Sequence, residues 1–144
     1  MKKIVIGSDH GGYKLKEVIK GHLEKQGYEC KDVGCYSLES CDYPQYGKAV
    51  AESVASGEVP FGILVCTTGI GISIVANKVK GIRAALCGDL TSARLTREHN
   101  DANILALGAG IVGENVALDI VDMFLNTPFS ELEKHQRRIN AIED

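Results

Sequence analysis

The chain has 144 residues, of which 44% are apolar, and its formal net charge is −3. This length is enough for one domain with a substantial core, and the sequence has no broad basic region of the kind that binds nucleic acid. The apolar runs are far too short to span a membrane, so we expect neither nucleic acid nor a membrane as a partner.

Short apolar runs alternate with segments whose apolar residues recur at helical spacing. The runs predict buried strands over residues 3–7, 28–33, 61–65, 82–87 and 103–107. The helical spacings predict helices over residues 13–26, 45–56, 71–79, 90–99, 116–125 and 130–142. This alternation predicts the α/β class: one domain, residues 1–144, with a three-layer α/β/α, Rossmann-like parallel sheet of about five strands and a C-terminal helix.

Residues 61–73 (FGILVCTTGIGIS) combine a strand, a glycine turn and the start of a helix. Cys66 ends the strand, and residues 67–71 form the turn. Such a turn presents free backbone N–H groups at the positive end of a helix, which suits a phosphate or a developing oxyanion. A thiol at this point is expected to be partly exposed, with its thiolate favoured by the helix dipole. The alternative is that Cys66 only fills the end of a buried strand, since cysteine is among the most buried residue types.

Polar turns also follow the first and last predicted strands, at residues 8–12 (SDHGG) and 107–113 (LGAGIVG). Because ligands bind beyond the carboxyl ends of parallel strands, these turns and the turn at residues 67–71 are expected to converge on one cleft. Asp9 and His10 are candidate site residues in this cleft. Their alternative role is a helix N-cap followed by an exposed histidine.

Two charged segments in the second half of the chain have both a functional and a structural interpretation. Residues 97–101 (REHND) contain His99 and Asn100, and are either part of a site or a solvated helix end. Lys134 and Arg138 share one face of the last helix and either clamp a phosphate, on a neighbouring subunit, or form a solvated face. Because this helix is polar and charged, we expect it to reach a neighbouring subunit.

The other cysteines are expected to be structural or incidental. The five cysteines are odd in number and lack C-x-x-C spacing, which predicts free thiols in a reducing cytoplasm. Those other than Cys66 are Cys30, Cys35, Cys41 and Cys87. Residues 42–44 (DYP) are expected to anchor a loop.

Several of these motifs together resemble the ribose-5-phosphate isomerase B family, which includes galactose-6-phosphate isomerase subunits. The matching motifs lie at closely matching spacing along nearly the whole chain: GSDHGGYKLK (7–16), DYP (42–44), CTTGIGISIVANKVKGIRAALC (66–87) and SARLTREHNDANILALG (92–108). The resemblance implies an aldose–ketose isomerase of the pentose phosphate pathway that interconverts ribose 5-phosphate and ribulose 5-phosphate through an enediolate, without a metal or another cofactor. It also implies a cytoplasmic homodimer or homotetramer whose active-site cleft is shared between two subunits.

The resemblance also implies a role for each candidate residue. Cys66 corresponds to the general base that moves a proton between C2 and C1 of the open-chain sugar, and Thr68 handles the hydroxyl protons there. His99 corresponds to the histidine that opens the sugar ring, with Asp9 assisting. The other expected substrate contacts are the backbone of Thr67, Thr68, Gly69, Ile70 and Gly71 for the enediolate oxygen, Asn100, and His10, Lys134 and Arg138 for the phosphate.

The sequence departs from the family pattern in three places. Thr67 stands where the family usually has glycine, and Gly110 stands where many members have arginine. The C-terminal motif G-G-R-H-x-x-R corresponds to residues 132–138, where Lys134 replaces the first arginine and the glycines are gone. Lysine is a point charge without the planar fork of arginine, so the substrate could instead be allose 6-phosphate, galactose 6-phosphate or another aldose.

Two functions of other classes fit the same residues. Cys66 could be the nucleophile of a thiol hydrolase or transferase with His99 as its partner, and the glycine turn would then be an acyl oxyanion hole. The domain could also be a non-catalytic sensor of a nucleotide or sugar phosphate, for which Cys66 would matter little. The residues alone leave the three functions open, and the resemblance favours the isomerase.

Overall fold

The computed structural model describes residues 2–144, in which strands and helices alternate as predicted. The strands are β1 (Lys2–Ser8), β2 (Tyr28–Asp32), β3 (Phe61–Cys66), β4 (Ala84–Leu86) and β5 (Ile104–Gly108). The helices are α1 (Tyr13–Lys25), α2 (Tyr43–Ala55), α3 (Ile70–Ala76), α4 (Leu90–Asn100), α5 (Glu114–Asn126) and α6 (Glu133–Glu143). None of the helices in this part of the chain is long and apolar enough to cross a membrane.

The strands form one parallel sheet in the order β2-β1-β3-β5-β4. Ser8 of β1 lies opposite Val65 of β3, and Cys66 of β3 lies opposite Gly108 of β5. The carboxyl ends of these three strands are therefore level, and the polar turns that follow them meet at one edge. The predicted three-layer, Rossmann-like architecture with a C-terminal helix is confirmed.

Alternation of side chains along the strands builds two apolar layers. One layer packs residues such as Ile6 and Ile63 against α1, α4 and α5. The other packs residues such as Leu64 and Cys66 against α2 and α3. Because neighbouring residues of a strand point to opposite faces, a strand covered on both faces is apolar throughout, which explains the short apolar runs in the sequence.

Helix α3 and strand β4 are among the elements that are shorter than predicted, and the Asn77 side chain links the two. Helix α3 ends at Ala76 rather than at residue 79, and β4 covers only part of the predicted range 82–87. The side-chain oxygen of Asn77 accepts a hydrogen bond from the Ala84 N–H at 2.8 Å, and its amide donates to the Ala84 carbonyl at 2.9 Å. These two bonds tie the end of the helix to the start of the strand.

The C-terminal helix α6 lies outside the three layers and packs on α4. His135 and Ile139 are its buried residues, and they lie four positions apart on one face. The rest of its surface is largely exposed. The helix is therefore docked on its own chain through a narrow face, and its contact with a neighbouring subunit stays a prediction.

A buried lysine fixes the loop between β2 and α2. The side chain of Lys16 in α1 is completely buried, and its Nζ lies 2.8 Å from both carboxylate oxygens of Asp32. Nζ also donates to the carbonyl of Cys35 at 2.7 Å. Burial opposes the ionisation of Asp32, but hydrogen bonds from Lys16 and from the Gly34 N–H outweigh it, so the pKa of Asp32 is lowered. The loop after β2 is thus held by an ion pair that the apolar pattern does not reveal.

Replacing Lys16 with methionine should lower the free energy of unfolding by about 3 kcal/mol, because Asp32 would keep a largely buried charge without its closest partner. The measurement is urea unfolding of parent and variant at neutral pH. Lys14 on the same helix is exposed, so Lys14→Met should change the free energy of unfolding by less than about 0.5 kcal/mol. Equal effects of the two substitutions would contradict the role of the buried pair.

Candidate active site

The turn after β3 encloses the Cys66 thiol. The Gly69 N–H donates to Cys66 Sγ at 3.1 Å, and the Ile70 N–H donates to Thr68 Oγ1 at 3.2 Å. Gly69 has a φ of 78°, a left-handed conformation that glycine adopts without strain. The predicted sequence of strand, turn and helix is confirmed, and a backbone donor holds the sulfur at the start of α3.

The Cys66 side chain is more buried than the sequence predicts. Only 6% of the residue is exposed, because alternation along β3 directs it into the layer formed with α2 and α3. The expectation of a partly exposed thiol is therefore wrong for the single chain. Thr67 and Thr68 follow directly and are exposed, so the thiol lies just beneath the surface of the turn.

Backbone N–H groups of this turn remain available to a ligand. Among residues 2–144, the N–H groups of Thr67 and Thr68 find no hydrogen-bond acceptor. The first hydrogen bond of α3 runs from the Ser73 N–H to the Gly69 carbonyl at 3.2 Å, so the Gly71 N–H lies ahead of the helical ladder. Unpaired donors beside a thiol can bind an oxyanion.

The loop after β1 brings Asp9 and His10 to the same edge of the sheet. Asp9 is buried, and its Oδ1 accepts the Gly12 N–H at 3.0 Å. The N-cap of α1 is Gly12 and no side chain caps this helix, so the N-cap interpretation of Asp9 is wrong; the carboxylate instead ties the turn that precedes α1. His10 Nδ1 accepts the Cys41 N–H at 3.2 Å, so a neutral His10 carries its proton on Nε2.

Glycines let the loops at this edge approach closely. A Cβ on Gly108 would lie 2.5 Å from the Thr68 carbonyl oxygen. The Thr67 side chain lies between Gly11 and Gly110: a Cβ on Gly11 would lie 2.3 Å from its Oγ1, and one on Gly110 would lie 3.1 Å from its Cγ2. Thr67, in place of the family's usual glycine, is accommodated because both neighbouring loops lack a side chain here.

Tyr43 also lies at this edge, although the sequence indicated only a loop anchor. A Cβ on Gly71 would lie 2.7 Å from the Cζ atom of Tyr43, so the aromatic ring packs directly against the Gly71 backbone. Tyr43 is 39% exposed and forms part of the surface of the turn. The DYP motif draws attention to Tyr43, but the motif does not indicate that its ring packs against Gly71.

A second cluster of predicted residues lies where α4 meets α6. It surrounds a cavity of about 530 Å³, which we call the histidine cavity. The lining residues are His99, Asn100, Leu132, Lys134, His135, Arg138, Ile139 and Ile142. Within residues 2–144 neither Lys134 nor Arg138 has an ion-pair partner, so both charges are available to an anion.

Arg97 holds the end of α4 that carries His99. It is buried, and its guanidinium donates to the carbonyls of Ala102 at 2.7 Å and Thr127 at 3.1 Å. The guanidinium carbon also lies 4.8 Å from the ring centroid of Phe61. The interpretation of residues 97–101 as a solvated helix end is therefore wrong for Arg97, whereas His99 is exposed.

The two clusters lie at opposite ends of the sheet. Strand β5 starts at Ile104, shortly after His99, whereas Cys66 pairs with Gly108 at the other end of β5. The length of this strand, about 16 Å, therefore separates them. The convergence expected of the polar turns at one edge is confirmed, but a single chain does not bring His99 beside the Cys66 turn.

His135 is a residue of this cluster that did not stand out in the sequence. Its ring lies beside that of His99, with centroids 4.5 Å apart. Burial, the neighbouring His99 and the positive charges of Lys134 and Arg138 lower the pKa of His135, although Glu98 opposes this. The signal was the spacing of His135 and Ile139 along the helix, which a run of charged neighbours obscured.

Substituting Gly108 by alanine should displace the Thr68 carbonyl and lower stability by about 2 kcal/mol, because the backbone cannot move aside cheaply. Thermal unfolding measures this effect. Gly21 is the matched control, since it lies inside α1 and nothing outside its own helix backbone comes within 4 Å of its Cβ position. Gly21→Ala should stabilise the protein by about 0.5–1 kcal/mol. A Gly108→Ala protein as stable as its parent would contradict the close approach.

The chain is similar to known sugar isomerases over almost its whole length. The profile of the family described as Ribose/Galactose Isomerase matches residues 4–142. The chain is 51% identical to ribose-5-phosphate isomerase B of Escherichia coli K12, over 99% of this chain and 95% of that protein. It is 42% identical to the galactose-6-phosphate isomerase subunit LacB of Clostridium acetobutylicum, over 98% of this chain and 82% of that protein. The solved structure of Clostridium thermocellum ribose-5-phosphate isomerase B matches with a TM-score of 0.96 at 56% identity, covering 98% of this chain and 95% of that one. The chain therefore belongs to the ribose/galactose isomerase family and is an aldose–ketose isomerase.

Proposed function

We propose that the enzyme interconverts ribose 5-phosphate and ribulose 5-phosphate through an enediolate, with Cys66 as the general base. The Escherichia coli and Clostridium thermocellum relatives, both named ribose-5-phosphate isomerase B, support this substrate. The observation that carries the proposal is the turn after β3, where a thiol adjoins N–H groups that have no acceptor within residues 2–144. The hydrolase and sensor alternatives lose their support, because the family is one of isomerases.

The reaction removes a weakly acidic proton from the carbon beside a carbonyl. It needs a base for that proton and donors for the oxygen that becomes negative. Cys66 Sγ takes the proton from C2 of the open-chain aldose and returns it to C1, while N–H groups of residues 67–71 hold the enediolate oxygen. The Thr68 hydroxyl moves the proton between the oxygens on C1 and C2. The Gly69 N–H that donates to Sγ stabilises negative charge on the sulfur.

The sugar ring must open before this proton transfer, and the groups proposed for ring opening come from two chains. Asp9 lies beside the Cys66 turn, whereas His99 lies at the other end of the sheet. We therefore place His99 of a second copy over the carboxyl edge of the first. His99 then donates a proton to the ring oxygen as the bond from this oxygen to C1 breaks, and Asp9 assists by accepting the proton of the C1 hydroxyl.

The same arrangement assembles a phosphate site from groups that one chain keeps apart. Lys134 and Arg138 of the second copy bring two cations from the histidine cavity, with Asn100 beside them as a substrate contact. His10 of the first copy, held through Nδ1 by the Cys41 N–H, contributes an N–H at Nε2. Two cations and a directed donor suit a phosphate dianion.

An apolar surface next to the turn supports the association of two copies. A cavity of about 310 Å³ is lined by Thr68, Ile70, Leu86, Cys87, Gly88, Gly108, Ile111 and Val112. Ile70 and Ile111 are 51% and 69% exposed. Exposed apolar patches of this kind are typical of contact surfaces, so we propose a homodimer, or a homotetramer built from such dimers.

A hexose phosphate is the second candidate substrate. Gly110 lacks the arginine side chain that many family members carry, and Thr67 packs against it instead, since a Cβ on Gly110 would lie 3.1 Å from Thr67 Cγ2. Lys134, in place of arginine, changes the phosphate contact as well. The similarity to the LacB subunit points the same way. These observations make allose 6-phosphate and galactose 6-phosphate the alternatives to ribose 5-phosphate.

Replacing Cys66 with alanine should lower turnover of ribose 5-phosphate by about 10³-fold, because the general base is lost. Exchange of the C2 proton with D2O, followed by NMR, should disappear with it, while the sugar phosphate still binds. Cys30 is the matched control: burial raises the pKa of its thiol to about 11, and Cys30→Ala should keep full turnover. Retained exchange in Cys66→Ala would refute the base assignment. If the parent turns over a hexose 6-phosphate faster than ribose 5-phosphate, the proposed substrate would be wrong, but the proposed role of Cys66 as the base would stand.

Mixed dimers of Cys66→Ala and His99→Ala chains test whether the site is shared. Each variant alone should be nearly inactive, but a mixed dimer contains one site in which the unaltered Cys66 meets the unaltered His99. Random assortment makes half of the dimers mixed, so about a quarter of the parent turnover should return after the two variants are refolded together. No recovery, with mixed dimers demonstrated by native mass spectrometry, would contradict the shared site.

A further inference from the structure

The face where α6 docks on α4 holds a second histidine, His135, that the proposed reaction does not use. Its ring lies against the ring of His99, with centroids 4.5 Å apart and planes inclined by 36°. His135 is buried, with 8% of the residue exposed, whereas His99 is exposed. His99 is therefore an exposed ring that rests on a buried one.

His135 is itself held by Ser130, in the connection between α5 and α6. The Ser130 hydroxyl oxygen and His135 Nδ1 are 2.6 Å apart, which is a short hydrogen bond. The same hydroxyl accepts the Leu132 N–H at 3.2 Å, so its one proton is free for Nδ1. A neutral His135 then carries its own proton on Nε2, and burial together with the positive groups around it favours this neutral form.

Ser130 and His135 link back to α4 on both sides of this contact. The Ser130 N–H donates to the carbonyl of Glu98 at 3.1 Å, one residue before His99. The Ser130 hydroxyl binds His135, and the His135 ring in turn contacts the ring of His99. An exposed side chain normally keeps its rotamer freedom, and the contacts through Ser130 and His135 remove much of this freedom from His99. Catalysis gains from such restriction, because small displacements of a reacting group are costly in rate.

We propose that His135, held by Ser130, is a positioning residue that fixes the His99 imidazole for opening of the sugar ring. The inference rests on the proposed function, which assigns ring opening to His99. It requires no contact between His135 and the sugar. In ring opening the sugar exchanges protons only with His99 and Asp9, and His135 keeps one protonation state throughout.

Ring opening can be measured apart from the proton transfer between C1 and C2. Ribulose 5-phosphate is an open-chain sugar, because its C5 oxygen is esterified and cannot close a ring. Exchange of its C1 proton with D2O therefore needs the base and the oxyanion donors but no ring opening. Turnover of ribose 5-phosphate, which is mostly cyclic, needs all of these groups.

The variants Ser130→Ala and His135→Ala should lower kcat for ribose 5-phosphate by about tenfold, with C1 exchange in ribulose 5-phosphate changed by less than about twofold. His135→Phe keeps a ring against His99 and should recover part of the loss seen with alanine. Gln136→Ala is the matched control on the same helix, since its exposed amide contacts only Asn140. It should leave both measurements unchanged.

Equal loss of both reactions, or a higher KM for both sugars, would show that α6 has moved and would overturn the positioning role. An unchanged kcat in variants that unfold at the parent's temperature would overturn it as well. If His135→Ala does not fold, Ser130→Ala still decides, because it removes a single hydroxyl. Failure of the proposed function gives a different pattern, in which the parent itself shows neither turnover nor exchange with these sugars.

Discussion

In a parallel sheet each helix returns the chain from the carboxyl edge to the amino edge, and this constraint decides where the functional residues of the chain lie. Helix α4 begins after β4 and ends just before β5, so His99 at its end is one strand length from the Cys66 turn. Helix α6 docks on α4 and adds Lys134 and Arg138 to the same end. The chain therefore carries two complementary groups of residues at opposite poles, and the shared site that we propose follows from this separation.

Much of the fold and half of the candidate site could be predicted from the sequence. Buried parallel strands are apolar throughout, so they stand out as short runs, and the turns after them must share an edge. The burial of Cys66 could not be predicted in this way. Strand periodicity locates a terminal residue but does not say which face it points to, or what lies over it. The place of His99 relative to the Cys66 turn could not be predicted for a related reason. The spacing of motifs along the chain carries no information on which chain supplies a residue to a site.

Two buried cations support the two groups of residues in a similar manner. Lys16 binds Asp32 and the Cys35 carbonyl, and so holds the loop whose Cys41 N–H orients His10. Arg97 binds the carbonyls that follow α4 and α5, and so fixes the end of the helix that carries His99. A cation removed from water must recover its lost hydration from carbonyls and carboxylates. Because the two cations are buried, the chain folds only if the loops adopt the conformations that pair them. No sequence pattern identifies these distant partners of Lys16 and Arg97.

The Thr67 side chain occupies the space between the loops after β1 and β5, against Gly11 and Gly110. A side chain introduced at either glycine would press on this threonine, so the three positions are not independent of one another. In evolutionary terms they form an epistatic set. A lineage can acquire arginine at position 110 most readily once the threonine has been lost, whereas the reverse order passes through a crowded intermediate.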